Sequence, residues 1–183
     1  MKRREFISAV TLSSAAALSV GSPLVDPEVN ENSASSIVGF SHVGLATLDI
    51  DRSIRFYRDL IGLKFLGEGR FDGVIYENIT GLKGASGRIA MLTAGHVRLE
   101  LFEYTSPQGQ LRSSRSPADQ GINHICFNVT DIEREYARLK KAGVSFHCAP
   151  QDGGFAKATY GRDPDDNIFE LIEIITMPKG WVG

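Results

Sequence analysis

The sequence predicts an α+β protein made of two copies of one strand–helix–strand–strand–strand unit. Three observations carry that expectation. The stretch Phe40-Ser41-His42-Val43-Gly44-Leu45 returns as Ile122-Asn123-His124-Ile125-Cys126-Phe127, displaced by 82 positions. At the same displacement Asp49-Ile50-Asp51-Arg52 falls on Asp131-Ile132-Glu133-Arg134, so the change from strand-like to helical period is repeated too. Each copy then closes alike: His96 to Glu103 matches Asp166 to Glu173 at a displacement of 70, which leaves 12 extra residues in the first copy.

Element by element, Ile37 to Ala46 is rich in β-branched and aromatic residues and reads as a strand. Alternation puts Phe40, His42 and Gly44 on one face. From Asp49 the residues Ile50, Ile54, Tyr57 and Ile61 recur at helical spacing, with Asp49 or Thr47 as cap and Gly62 as terminator. Leu63 to Phe71 returns to strand. Gly73 to Ser86 is the inserted piece, ambiguous in structure and broken by Gly81, Gly84 and Gly87. Arg88–Thr93 and Val97–Tyr104 make a hairpin around Ala94-Gly95-His96, with Arg98, Glu100, Phe102 and Tyr104 on one face of its second strand.

The second copy is expected to run through a strand at Ile122–Val129 and a helix from Asp131 to about Ala142 striped by Ile132, Tyr136 and Leu139. Strands follow near Val144–Cys148, Phe155–Tyr160 and Asn167–Ile174. The domain plan is a first unit at 36–104, a linker rich in Pro, Gly and Ser at 105–120, a second unit at 121–176 and a tail at 177–183.

The N-terminus reads differently. Lys2-Arg3-Arg4 precedes an apolar, Ala/Ser-rich run from Phe6 to Val20, shorter than a membrane-spanning helix. Paired arginines followed by Phe6 and Ile7 resemble a twin-arginine export signal, so residues 1–22 are expected to be an export signal and 23–35 a flexible lead-in. The expected location is the periplasm, with no membrane attachment once the signal is removed. A net charge of −2 over 183 residues, with no basic run beyond the signal, argues against a nucleic-acid partner. Cys126 and Cys148 are too few for a disulfide scaffold, though an oxidising compartment leaves their pairing open.

Two His and two Glu in repeat register point to a metal. A Glu on a strand face that also carries a His is costly to bury charged unless it is paired or bound to a cation. His42, Glu100, His124 and Glu170 are therefore the expected ligands of one divalent ion, and a mixed nitrogen and oxygen set suits Zn, Ni, Mn, Co or Fe. His96 and His147 are expected at the surface. Glu103 and Glu173 fall on the opposite face, in solvated or capping roles. Arg98, Tyr104, Lys157, Tyr160 and Arg162 are candidates for a pocket mouth.

The pattern resembles the vicinal-oxygen-chelate superfamily, which groups glyoxalase, bleomycin-resistance and extradiol-dioxygenase proteins. The resemblance covers residues 37 to 175. Its carriers are Ser41-His42-Val43-Gly44-Leu45, Leu99-Glu100-Leu101-Phe102-Glu103-Tyr104, Gly121-Ile122-Asn123-His124-Ile125 and Asp163-Pro164-Asp165-Asp166-Asn167-Ile168-Phe169-Glu170-Leu171. It implies two paired βαβββ modules whose curved mixed sheets surround a metal-binding cleft, with His42, Glu100, His124 and Glu170 as ligands. One departure is visible, because Asp166 stands where the family's turn carries Gly; Asp tolerates the left-handed conformation at small cost.

The four-ligand set is most similar to that of glyoxalase I and methylmalonyl-CoA epimerase-type members. The implied function is a metal-dependent lyase or isomerase acting on a small oxygenated metabolite, with Glu100 or Glu170 moving the proton. Two alternatives remain: an Fe(II) extradiol-type dioxygenase using His42, His124 and Glu170, and a non-catalytic resistance-type binding protein. One chain, or two chains in a homodimer exchanging modules, would supply the ligands.

Overall fold

In the computed structural model the described residues are 36–37, 39–111 and 116–177; the expected export signal and lead-in lie outside them. The repeat seen in the sequence is a repeat in space. Each module forms one four-stranded mixed sheet in which the first strand pairs parallel with the last. The first sheet holds β1 (His42–Ala46), β2 (Lys64–Phe71), β3 (Ser86–Ala94) and β4 (Val97–Ser106) in the order β1-β4-β3-β2. The second holds β5 (Ile125–Asn128), β6 (Gln151–Asp152), β7 (Ala156–Arg162) and β8 (Ile168–Ile174) in the matching order β5-β8-β7-β6.

The first helix, α1 (Ile50–Arg55), starts where Asp49 caps it by accepting from the Arg52 N–H at 2.9 Å. It then widens into a π-helical turn over Phe56–Leu60, closed by the Ile61 N–H donating to the Phe56 carbonyl. The wider turn lets the adjacent residues Phe56 and Tyr57 both point inward, 6% and 1% exposed. The inserted piece resolves as α2 (Gly73–Thr80), ended by Gly81 in the left-handed conformation at φ 69°. In the second module α3 (Ile132–Lys141) is capped by Asp131, and its Ile132 N–H also donates to the Glu173 carboxylate at 3.0 Å.

Several expected strands shorten. Gly39 to Ser41 and Ile122 to His124 lie outside the strands. The Val144–Cys148 strand contracts to a single bridge from Phe146 to Gly161, and the β6 edge falls at Gln151–Asp152 instead. Gly161 is required there, since a Cβ would lie 2.4 Å from the Phe169 ring.

Leu99 and Leu101 of β4, Phe169 and Leu171 of β8, and the apolar faces of α1 and α3 merge into one core shared by both modules. The Phe56 and Phe169 rings meet across it, edge to face at 5.8 Å. A polar clasp joins the modules beside that core. The Tyr57 hydroxyl donates to Asp163 Oδ2 at 2.7 Å, and burial pushes this phenol well above its usual range. Asp165 Oδ2 accepts from the Thr47 and Ser53 hydroxyls at 2.6 and 3.1 Å, while Oδ1 accepts from Arg52 at 2.6 Å. Thr47 therefore binds the other module instead of capping α1.

Candidate metal centre

On β4 the side chains of Leu99 and Leu101 enter the core, so Glu100, Phe102 and Tyr104 face the other way. The parallel register sets Gly44 beside Glu100 and His42 beside Arg98. This brings His42 Nε2 to 3.2 Å from Glu100 Oε2. The second module repeats the arrangement: β5 and β8 align Cys126 with Glu170, and His124 Nε2 lies 3.0 Å from Glu170 Oε2.

These spacings suit a metal. Two donors bound about 2.1 Å from one cation and a right angle apart are about 3.0 Å from each other. The histidine orientations agree. His124 Nδ1 lies 2.8 Å from Asn123 Oδ1, which only accepts, so Nδ1 donates to it and Nε2 is the nitrogen turned toward the carboxylate. Two acceptors facing each other at 3.0 Å need a proton or a cation between them. His42 Nδ1 is held by the Ser41 hydroxyl at 3.2 Å.

The four expected ligands form two pairs and do not converge. Among the described residues no group of three or more His, Cys, Asp or Glu side chains is placed to hold an ion. The physical reason is the shared core. Both sheets turn their helix-covered faces into it, and the His–Glu faces point away from it. In a single chain the four residues therefore stand as two separate His–Glu pairs where one cleft around one metal was expected.

The two pairs differ in their surroundings. Beside Glu100, Phe102 and Tyr104 stack at 5.9 Å, and the Phe71 ring touches Phe102, Tyr104 and Tyr76 of α2 at 5.6, 5.2 and 5.1 Å. Beside Glu170 the neighbours are polar. Tyr160, opposite Glu170 in the register, lies 4.9 Å ring to ring from His124, and Arg162 Nε donates to His147 Nε2 at 3.1 Å. Partial burial pushes the Cys126 thiol up to about 12, with a hydrogen bond to Glu170 adding to it. Burial likewise raises Tyr160, the Glu170 charge adding to it, so both groups stay protonated and can donate.

Among the other candidates, Lys157 turns to the helix side, 3.9 Å from Glu133, away from the site. Glu173 caps α3 as expected, and Glu103 lies 3.8 Å from Arg88. Cys126 and Cys148 are both free thiols; β8 and β7 separate them, so they cannot pair within one chain. Cys126 had a signal in the sequence that was not used, since the displacement of 82 sets it on Gly44, the partner of Glu100. A cavity of about 420 Å³ is lined by Val43, Leu63, Leu99, Ile125 and Phe127 at the seam between modules and contains neither His–Glu pair.

The sequence profile of the Glyoxalase/Bleomycin resistance protein/Dioxygenase superfamily matches residues 39–171. A lactoylglutathione lyase of Schizosaccharomyces pombe is 28% identical over 151 residues, covering 76% of this chain and 49% of that protein. A 2-epi-5-epi-valiolone epimerase of an Actinomyces species is 31% identical over 109 residues, covering 56% of this chain and 59% of that protein. The chain thus spans about half the length of these relatives. A solved glyoxalase family protein from Bacillus cereus superposes with a TM-score of 0.71 at 24% identity, over 78% of this chain and 97% of that one, and shares the fold. With the profile spanning both modules and both His–Glu pairs, the chain belongs to the glyoxalase/bleomycin resistance protein/dioxygenase superfamily.

Proposed function

We propose that the chain is a metal-dependent lyase or isomerase that moves a proton next to the carbonyl of a small oxygenated metabolite, in centres completed by two chains. The observation that carries this is the pair of His–Glu donors at 3.2 and 3.0 Å, each on a sheet face turned away from the core. His42 and Glu100 of one chain would hold the ion with His124 and Glu170 of another. A divalent metal bound there would polarise a substrate carbonyl and acidify the adjacent carbon. The chain's own part is the proton: a carboxylate oxygen of Glu100 or Glu170 takes it from one carbon and returns it to the next. Cys126 donates toward Glu170 and holds its orientation, and the protonated Tyr160 lies opposite Glu170 in the strand register. The aromatic wall of Phe71, Phe102 and Tyr104 excludes water from the other side.

Oxygen-dependent ring cleavage, the dioxygenase branch of the family, needs Fe(II) and two His with one carboxylate, and would leave Glu100 idle. The discriminating experiment offers purified protein a panel of 2-hydroxyketones and hemithioacetals beside a panel of catechols in heavy water. Oxygen-independent deuterium uptake at carbon, lost in Glu100→Gln and Glu170→Gln, is the expected result. Ring cleavage that consumes oxygen and survives Glu100→Gln overturns it, and binding without turnover of any panel member would favour a resistance-type role.

We also propose export by the twin-arginine route, on the strength of Arg3-Arg4 before an apolar run. Arg3→Lys with Arg4→Lys should hold the precursor in the cytoplasm; unchanged export would point to the general secretory path.

A further inference from the structure

β1 and β5 each end their sheet, so each is paired on one side only. Their pairing with β4 and β8 turns Val43 of β1, and Ile125 and Phe127 of β5, toward the shared core. Beside the buried Leu63 and Leu99 these side chains do not close on one another, and the cavity of about 420 Å³ is left between them. Small-molecule sites occupy roughly 300–1,000 Å³ and combine apolar walls with a few placed polar groups. The polar residues of this lining are Arg98, Cys126 and Asn128, and Arg98 is its one charged member. Arg98 is exposed near the start of β4 and makes no ion pair or side-chain hydrogen bond with another described residue. Glu100, two residues further along the same face, is engaged by His42 instead. Arg52 and Arg88 of the same module, by contrast, both pair with carboxylates.

We propose that this seam cavity binds a small monocarboxylate with an apolar body, Arg98 holding the carboxylate and Val43, Leu99, Ile125 and Phe127 holding the body. The site is separate from the metal-dependent reaction, because neither His–Glu pair lines the cavity. A single guanidinium matches a single negative charge and can hold a carboxylate through two parallel N–H···O bonds. A phosphate dianion would keep a charge uncompensated against apolar walls, which is costly. A wholly apolar ligand would make no use of Arg98. The Asn128 amide adds an uncharged donor to the lining. Because β1 and β4 supply one part of the walls and β5 the other, a ligand here joins the two modules and stabilises the chain by mass action.

The test titrates the purified full chain with octanoate by calorimetry, metal-loaded and after chelator treatment, beside acetate, octanol and octyl phosphate. One octanoate per chain is expected, bound equally with and without metal, together with a rise in the thermal midpoint. Acetate, which lacks the body, and octanol, which lacks the charge, should bind at least tenfold more weakly. Arg98→Gln should weaken octanoate at least tenfold and leave octanol unchanged, while the circular dichroism spectrum stays that of wild type. Val43→Phe, which fills the cavity, should abolish binding of both; Ala94→Trp, at the exposed end of β3 in the same lining, serves if that variant fails to fold. Absence of saturable octanoate binding overturns the proposal, as does affinity untouched by Arg98→Gln. Octanol or octyl phosphate binding as tightly as octanoate overturns it equally. Octanoate that binds only the metal-loaded chain sits on the metal, which also overturns the seam site while supporting the metal centre.

Discussion

Asn123 Oδ1 lies 2.8 Å from Nδ1 of His124, and this contact decides which nitrogen of the ring meets Glu170. An amide oxygen can only accept, so Nδ1 donates and Nε2 is presented as a ligand. Partners of this kind fix ring orientation and typically carry a factor of about 10–100 in metal affinity. Asn123→Ala should therefore weaken metal binding by roughly that factor, read by competition titration with a chromophoric chelator. Loss of the proposed ligands, in His42→Ala or His124→Ala, should abolish binding while thermal unfolding stays cooperative. Unchanged affinity in Asn123→Ala would remove the orienting role.

Asp165, its side chain 8% exposed, is the one group that ties Thr47, Ser53 and Arg52 of the first module to the turn of the second. Removing the carboxylate strips the buried Thr47 and Ser53 hydroxyls of a partner, at a cost of about 1–3 kcal/mol, while the half-exposed Arg52 is taken up by water. Asp165→Ala should lower stability by about that amount in urea unfolding, since the metal ligands lie elsewhere. A loss below about 0.5 kcal/mol would place the clasp among contacts that water replaces.

Asp166 adopts φ 65°, the left-handed conformation that glycine enters without strain. Its carbonyl accepts from Arg162 at 2.8 Å, a bond that Asp166→Gly keeps. Its carboxylate adds only a distant pairing with Arg162 at 3.7 Å. Asp166→Gly should raise stability by about 0.5–1 kcal/mol, and a thermal midpoint a few degrees higher checks it.

Arg88 gathers α1 and β2, donating to Asp51 at 2.8 and 2.9 Å and to Glu68 at 3.0 Å. Hydrogen bonding from Arg88 holds the Asp51 carboxyl below its ordinary value of 3.8. A group lowered in the fold stabilises it above the unfolded value and loses that contribution as pH falls through the folded one. The pH-linked part of this contact is thus complete above about pH 4 and disappears below the lowered midpoint. In Arg88→Met the Asp51 titration followed by NMR should move up toward 3.8, and the stability difference from wild type should shrink as the pH falls.

The sequence by itself determined what is local or repeated. The displacement of 82 marked the modules, and strand alternation put each His on the face of its own Glu, because β1 with β4, and β5 with β8, are neighbours within one unit. The cap of α1, with Asp49 as one of two candidates, was legible for the same reason, since such geometry depends on a few adjacent residues, and the left-handed turn at Asp166 followed from the family resemblance. Strand ends were not, because Ile122 to His124 carries strand composition yet lies outside β5. Only the tertiary structure decided how the two pairs are placed. Phe56 against Phe169, and Asp165 against Thr47, join residues more than a hundred positions apart, and no period in the chain announces such pairs. The inserted piece was ambiguous because eight residues give too few turns for a period, and its helix is fixed by Tyr76 packing on Phe71. Burial of both helix-covered faces in one core sends the two His–Glu faces away from it, and that long-range choice leaves each chain with two separate His–Glu pairs where the residues alone suggested one centre.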